Sequence, residues 1–479
     1  MKQFFLCTFL SFLMLPHVPG QVASQDSLAL VAIYQATNGP EWTVDSNWLT
    51  GPVPSWHGVT VTGDRVTNLG LYSNNLTDSL PPAIGDLTAL ERLEVSSNAL
   101  TGQLPGTLGQ LTELTHLDVH FNMITGTLPA TLVNCTRLKT IIAYRNNLSG
   151  GFPSVLLEMP QLERILLGSN DLEGQIPPEI NTLVNLRNLT FERNNFSGVM
   201  PSIANLVNLS EVHMRENNLE GNWQDIIGYH PEMYYFTFND NNFTGCVSDT
   251  SFNPDQLQFL HLNNNNFDCL GDFSAFADTG VLQRIWCGNN QIPFEYLEKN
   301  TAVGIYEYAP QDSLLQPATH ELATGATISI DAGTGGDHTS YTWYHNGVVI
   351  DGATGRTLTI TDFQPDDAGA YYCAATNSML PDLTLYRSVV HLQPEGTTGT
   401  RDHAVAAVLL YPNPATAKVW LKGLSGQGTV DVYDATGTLR YRRDMSLDEA
   451  MPVGQWVAGL YSLVIRQGDR LYISRLVKE

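Results

Sequence analysis

The chain predicts a mixed α/β solenoid, curved and right-handed, followed by two all-β sandwich domains. Three observations predict it. Asparagine recurs at positions 74, 98, 122, 146, 170, 194, 217, 241, 265 and 290, seven times at a spacing of 24 residues, once at 23 and once at 25. Residues 306–393 then break into short alternating runs around Trp343 and Cys373, and residues 408–479 do the same around Val432 and Tyr461. A fixed period in this range outranks any local motif, because each unit can bury its apolar face only against its neighbours.

At 479 residues the chain is too long for one core, which implies several domains. The balance of 24 basic against 48 acidic residues gives a net charge of −24. Nothing forms a basic track for phosphate, so nucleic acids and anionic membrane surfaces are disfavoured as partners.

Residues 1–20 read as an export signal: Lys2, an apolar run from Phe4 to Leu15, Pro16, then Val18 and Gly20 before a cut. The run is too short to span a bilayer, and no later stretch reaches the ~20 apolar residues required. Residues 21–65 read as a cap. Asp26 is placed to N-cap a helix carrying Leu28, Val31 and Tyr34, and Trp42, Trp48 and Trp56 follow to cover the open end of the first repeat.

Residues 66–300 hold ten repeats. Each returns the frame Leu90, Leu93, Val95, Asn98, Leu100, Thr101, Gly102, Leu104, Pro105, Leu108, Leu111. A short strand such as Leu93-Glu94-Val95 turns alternate residues into the core, and the Asn at the turn can bond the backbone of its neighbour. This frame is the leucine-rich-repeat pattern. Leu100–Pro105 and Leu172–Pro177 resemble the plant-type subclass, as does the cap from Ala36 to Val59, which lacks the cysteine pair usual in plant versions. The resemblance covers about half the chain and implies a fold rather than a ligand.

Five cysteines follow the leader, so at least one thiol is unpaired. Cys246 and Cys269 fall in adjacent repeats, within disulfide reach, but spacing alone leaves the connectivity open. Cys287 takes the place of a core leucine.

In residues 306–393, Ala326–Ile330, Tyr341–Tyr344 and Thr357–Ile360 read as strands. Trp343, with Tyr371 two residues before Cys373, resembles the immunoglobulin sandwich and its tyrosine corner. The partner cysteine is missing near Ile330, so Cys373 is expected as a free core thiol. Residues 394–407, with Pro394, Gly396 and Gly399, form a linker. Residues 408–479 open on Tyr411-Pro412-Asn413-Pro414, continue through Val430–Asp434 and Gly459–Ile465, and end in a basic tail. They resemble the C-terminal sorting domain of the Bacteroidetes type IX secretion system. That resemblance implies export across the outer membrane by the secretion machinery, with release or surface attachment.

Binding by the concave side is the expected function, with a protein, peptide or glycan as partner. Its central column runs Gly70, Glu94, Asp118, Ile142, Leu166, Thr190, His213, Thr237, His261 and Trp286. A solvated strand face has no need of large aromatics, and aromatic and Arg enrichment marks interaction surfaces. Tyr144, Arg215, Tyr235, Phe259, His261 and Trp286 are therefore the expected ligand-binding residues. The competing expectation is that they shield the strands by packing on one another, above all toward the C-terminal end.

His116, Asp118 and His120 point the same way, beside Glu94, but alternate residues lie ~7 Å apart, too far for shared chelation, so no metal is expected. No nucleophile elbow, His-Glu-x-x-His or phosphate-binding glycine loop occurs, and neither catalysis nor a cofactor is expected. The alternatives are an adhesive surface protein with weak multivalent contacts, or an inhibitor or partner of an exported enzyme.

Overall fold

A computed structural model describes residues 22–396, 408–411, 418–422, 424–434, 439–457, 459–467 and 470–478. The expected leader, most of the linker and the Pro412-Asn413-Pro414 opening lie outside the described residues.

The chain begins with the helix Ser24–Ala36, and here the sequence expectation is corrected. Ala23, not Asp26, occupies the N-cap, and no side chain caps it. Asp26 sits inside the first turn, fully buried, because its carboxylate accepts Arg65 Nη2 at 2.9 Å, Arg65 Nε at 3.1 Å and the Val66 N–H at 2.7 Å. The inward face is Asp26, Ala29, Leu30, Ile33 and Tyr34, whereas Leu28 is 69% exposed. Trp42, Trp48 and Trp56 are buried as a connected set with Tyr34, Trp48 lying 5.5 Å from Tyr34 and 4.7 Å from Trp56. Each indole N–H reaches a carbonyl, on Thr37, His57 and Gly51 respectively, so the polar end of each ring is satisfied within the cap.

Twelve strands form one sheet. Val59–Thr62 pairs antiparallel with Arg65–Gly70, and the rest continue in parallel through Arg92–Glu94, His116–Asp118 and their successors to Arg284–Trp286 and Ile305–Glu307. The register is in phase from repeat to repeat: Asp118 faces Ile142, His213 faces Thr237, and His261 faces Trp286. Successive repeats thus stack their equivalent side chains in columns. The last strand includes Tyr306, so the sheet runs one strand beyond the ten expected repeats and past the expected domain start at 306. Tyr306 is half-buried there and donates its hydroxyl to the Leu297 carbonyl at 3.0 Å.

Behind each turn a second, seven-stranded parallel sheet runs from Thr125–Gly126 to Asn266–Leu270. The convex side holds the helical part of the expected mixed α/β solenoid, which is short. It carries 3-10 helices at Pro82–Asp86, Gly106–Gln110, Ala130–Asn134, Ser154–Glu158 and Pro178–Thr182, with short α-turns only at Trp223–Ile226, Ser274–Asp278 and Phe294–Leu297. The reason is the spacing of the apolar residues. Leu108 and Leu111, or Ile180 and Leu183, are both buried three apart, which matches three residues per turn rather than 3.6.

The repeat asparagines form a ladder. Asn146 Nδ2 donates to Val119 O at 3.0 Å and Ala143 O at 3.2 Å, while its Oδ1 accepts the Ile124 N–H at 3.0 Å. Asn122, Asn170, Asn194 and Asn241 repeat the arrangement, so each side chain satisfies backbone groups of two repeats at once. Cys246 and Cys269 form a disulfide between adjacent repeats, and Cys135, Cys287 and Cys373 are free and buried.

Beyond the solenoid the chain is strand-rich. Thr339–His345 pairs antiparallel with Gly369–Asn377, setting Trp343 opposite Cys373. Ile330 and Trp343 are buried in one core with Cys373, so an isoleucine fills the space of the missing half-cystine. The Tyr371 hydroxyl donates to Asp367 O at 2.7 Å, closing the tyrosine corner. Leu380–Tyr386 turns back toward the solenoid, and Leu380, Leu383 and Leu385 join the solenoid's own core. Polar contacts fix the same junction. Phe294 N–H donates to Thr334 Oγ1 at 2.8 Å, and Glu298 accepts Asp337 N–H at 2.9 Å and Asn377 Nδ2 at 2.8 Å. In the last segment Gln427–Asp434 lies between Leu439–Ser446 and Gly459–Gln467, with Arg470–Lys478 outside the latter. Asp431 is buried there between Arg442 and Arg466, and those guanidinium bonds hold its carboxyl down at about 2 despite burial. Among the described residues no helix is long and apolar enough to cross a membrane.

Candidate functional site on the concave face

The parallel sheet presents one open face, and side chains two apart on each strand point onto it. The six residues picked from sequence do not form one group there. Tyr235, Phe259, His261 and Trp286 come together on three successive strands. Ring centroids are 4.9 Å apart for Tyr235 and Phe259, 5.7 Å for Tyr235 and His261, and 4.2 Å for His261 and Trp286, whose planes are nearly parallel. His213 stands edge-on to Tyr235 at 4.7 Å, and the Arg284 guanidinium lies 4.6 Å over the Trp286 ring.

Arg215 borders this cluster but is engaged with its own neighbours. Its Nε lies 3.2 Å from Glu192 and its Nη1 3.8 Å from Glu216. Tyr144 stands apart, in a separate cluster four repeats from Tyr235 toward the N-terminus. It stacks on His120 at 4.5 Å and meets Phe121 edge-on at 5.5 Å, and Arg145 lies 4.5 Å over the Phe121 ring.

None of the six is exposed. His261 is buried and the other five are half-buried, which is the mutual packing expected as the alternative. Exposed large residues beside these clusters that sequence reasoning passed over are Phe121 and Met123, next to Tyr144, and Ile305, paired in register with Arg284. Phe121 sits at the position just before the ladder asparagine, where every repeat takes a positive φ, here 51°. The other repeats place Ser, Arg, Glu, Asp or Asn there. A phenylalanine in that left-handed position is an outlier, and its place one residue before the ladder asparagine was the available signal.

Burial also sets the electrostatics. It pushes the His261 imidazole down to about 4, with Arg284, Arg215 and His213 adding to the effect. Burial lowers His213 as well, against the opposing pull of Glu192 and Glu211, and raises the Tyr144 hydroxyl. In the His116, Asp118 and His120 group, His120 Nδ1 pairs with Asp118 at 2.5 Å and His116 Nε2 turns to Glu94 at 3.7 Å. Among the described residues no set of three or more His, Cys, Asp or Glu side chains is gathered to hold a metal.

Comparisons with known proteins follow the same division of the chain. Residues 64–124 match the leucine rich repeat family, residues 310–377 the immunoglobulin domain, and residues 409–479 the secretion system C-terminal sorting domain. The last match marks a protein exported to the outer surface. No curated protein matches the chain. Among solved structures, a plant ice-binding protein is 23% identical, with 60% of this chain and 99% of that one covered and a TM-score of 0.46. The Arabidopsis receptor kinase HAESA, in complex with a peptide hormone and a co-receptor, is 23% identical, with 52% and 46% covered and a TM-score of 0.43. A plant peptide hormone receptor is 24% identical, with 53% and 47% covered and a TM-score of 0.43. The chain thus spans less than half the length of these two receptor structures.

Proposed function

We propose that this exported protein is a non-catalytic binding protein, a right-handed solenoid with two sandwich domains behind it. Its concave face recognises a protein, peptide or glycan ligand, and residues 408–479 engage the secretion machinery. The observation that carries this is the concentration of rings and guanidinium groups on the one face the sheet leaves open, in two clusters centred on Tyr144 and Tyr235. A face that served only as a lid on the strands would not need the exposed Phe121 and Met123 beside the first cluster. Arg215, Phe259, His261 and Trp286 complete the second.

The test is a capture experiment with the exported chain against proteins, peptides and glycans of its surroundings, beside the Tyr144→Ala, Tyr235→Ala double variant. Both substitutions lie outside the apolar core, so the repeats should still fold. The variant is expected to bind its partner more than tenfold more weakly. Equal retention by parent and variant would move recognition to the convex side or to the immunoglobulin-like region.

A further inference from the structure

We propose that the second concave cluster is a carbohydrate subsite, taking a neutral sugar whose hydroxyl groups enter the polar set around His261 and Trp286. It rests on the concave face being the binding face, and it assigns the ligand class for one part of that face.

The geometry begins with polar atoms left without partners. Among the described residues seven buried side-chain nitrogen or oxygen atoms lack a hydrogen bond, and five belong here: Asn239 Oδ1, His261 Nε2, Asn263 Oδ1, Arg284 Nε and Trp286 Nε1. Native interiors seldom leave such atoms unpaired even singly. Five on three successive repeats of one open face mark a place built for a polar occupant. His261 and Asn239 are themselves more than nine-tenths buried.

The chemistry of the set selects the occupant. Two of the atoms are amide oxygens that only accept. Two, on Arg284 and Trp286, are N–H groups that only donate. His261 is neutral near pH 7, since burial holds its imidazole near 4, so its ring nitrogen takes either role according to tautomer. An anion accepts only and would leave both asparagine oxygens unmatched; a cation donates only and would leave the indole and guanidinium unmatched. A hydroxyl does both from one atom, and a sugar ring carries several at ångström spacing. The rings supply the other half of sugar recognition, apolar faces against which the C–H side of a pyranose can lie. The Tyr235–Phe259 pair provides one such face, and the Trp286 indole, covered by His261 at 4.2 Å and by the Arg284 guanidinium at 4.6 Å, provides a second once it is uncovered. The net charge of −24 opposes a polyanionic glycan, and the one cation in the set, Arg284, is already spread over the Trp286 ring. The unmatched atoms are buried in this packing, so the proposed sugar enters by parting the Trp286 indole from His261.

The test is calorimetric titration of the full exported chain with neutral gluco-, manno-, xylo- and N-acetylglucosamine oligosaccharides, beside uronate oligosaccharides and uncharged extended peptides. Saturable binding of a neutral oligosaccharide is expected. Trp286→Phe, which keeps a ring but removes the Nε1–H, and Asn263→Ala should each weaken it at least fivefold with an unchanged melting temperature. The second variant is at a half-buried position and keeps the test open if the first perturbs folding. No saturable binding of any neutral oligosaccharide, or binding of uronates or peptides alone, overturns the sugar subsite. A sugar retained by Trp286→Phe and Asn263→Ala but lost by Tyr144→Ala also overturns it, while leaving the concave face as the binding face. A sugar retained by all three variants overturns both.

Discussion

The two ends of the solenoid are closed in opposite ways. At the N-terminus the cover is local: the helix Ser24–Ala36 and three tryptophans come from the residues directly before the first repeat, and Asp26 ties the helix to Arg65 on the second strand of the sheet. At the C-terminus the cover comes from far along the chain. Leu380, Leu383 and Leu385, on a hairpin of the immunoglobulin-like region, join the same core that holds Phe294 and Leu297. A solenoid needs a cap wherever its stack ends, because the last repeat has no neighbour to bury its apolar face. The first cap can assemble with the first repeats, whereas the second exists only once residues 310–394 have folded. The immunoglobulin-like region is therefore structural for the solenoid whatever else it does.

The sharpest way to break this contrast is to charge the distant cap. The double substitution Leu383→Asp, Leu385→Asp is expected to destabilise the C-terminal repeats by roughly 4 kcal/mol or more, since unpaired carboxylates would be buried. Differential proteolysis should then cut between Asp240 and Asn300 while the N-terminal repeats stay protected. Uniform protection would mean that the solenoid closes its own end.

The local cap should fail less severely. Trp48→Ala removes one ring from a set of four and, with three rings left in place, should cost about 3 kcal/mol, read as a shift of the denaturant midpoint. If it unfolds the C-terminal repeats along with the first ones, the stack melts as a single unit and the distinction between ends loses its energetic meaning.

Acid provides the mildest comparison. The histidines pushed down to about 4 by burial, His230 and His261, both belong to the C-terminal half. A folded-state value below the ordinary 6.5 means that the unfolded chain binds more protons between those two values. The contribution of these groups is therefore complete above about pH 6.5 and is lost as pH falls toward and through 4. Hydrogen exchange at pH 7 and pH 4.5, corrected for intrinsic rates, should show protection falling more in repeats containing Phe236 and Leu260 than in those containing Leu93 and Leu117. His230→Leu should reduce the difference. Equal losses in both halves would assign the acid response to the carboxylates instead.

Much of this was legible in the residues, for a definite reason. A large apolar residue at every strand centre and an asparagine at every turn repeat an environment, and an environment repeated ten times is readable without coordinates. Trp343, Tyr371 and Cys373 carried the sandwich in the same manner, through roles tied to a fixed spacing. Contacts between non-equivalent positions were not legible. Nothing near Asp26 announces Arg65, which lies 39 residues away, and nothing near Leu383 announces the end of the repeats. The candidate site divides along the same line. Strand alternation placed Tyr235, Phe259, His261 and Trp286 on one face, but whether rings on a face stand free or lean on each other depends on rotamers. For the same reason the unmatched oxygens of Asn239 and Asn263 could not be read from the sequence.

One consequence of the asparagine ladder concerns length. Asn217 follows its predecessor after 23 residues and Asn290 after 25, yet both make the same bonds as the rest, Asn217 to Phe191 O and Met214 O, Asn290 to Leu262 O and Cys287 O. The missing and the added residue are absorbed on the convex side, where the first of these repeats has no helix and the second carries Ser274–Asp278. The ladder therefore behaves as a ruler graduated in whole repeats. Loops behind it can be edited residue by residue, while the open face can be lengthened or shortened only by an entire strand, ~4.8 Å at a time, with every remaining column still aligned.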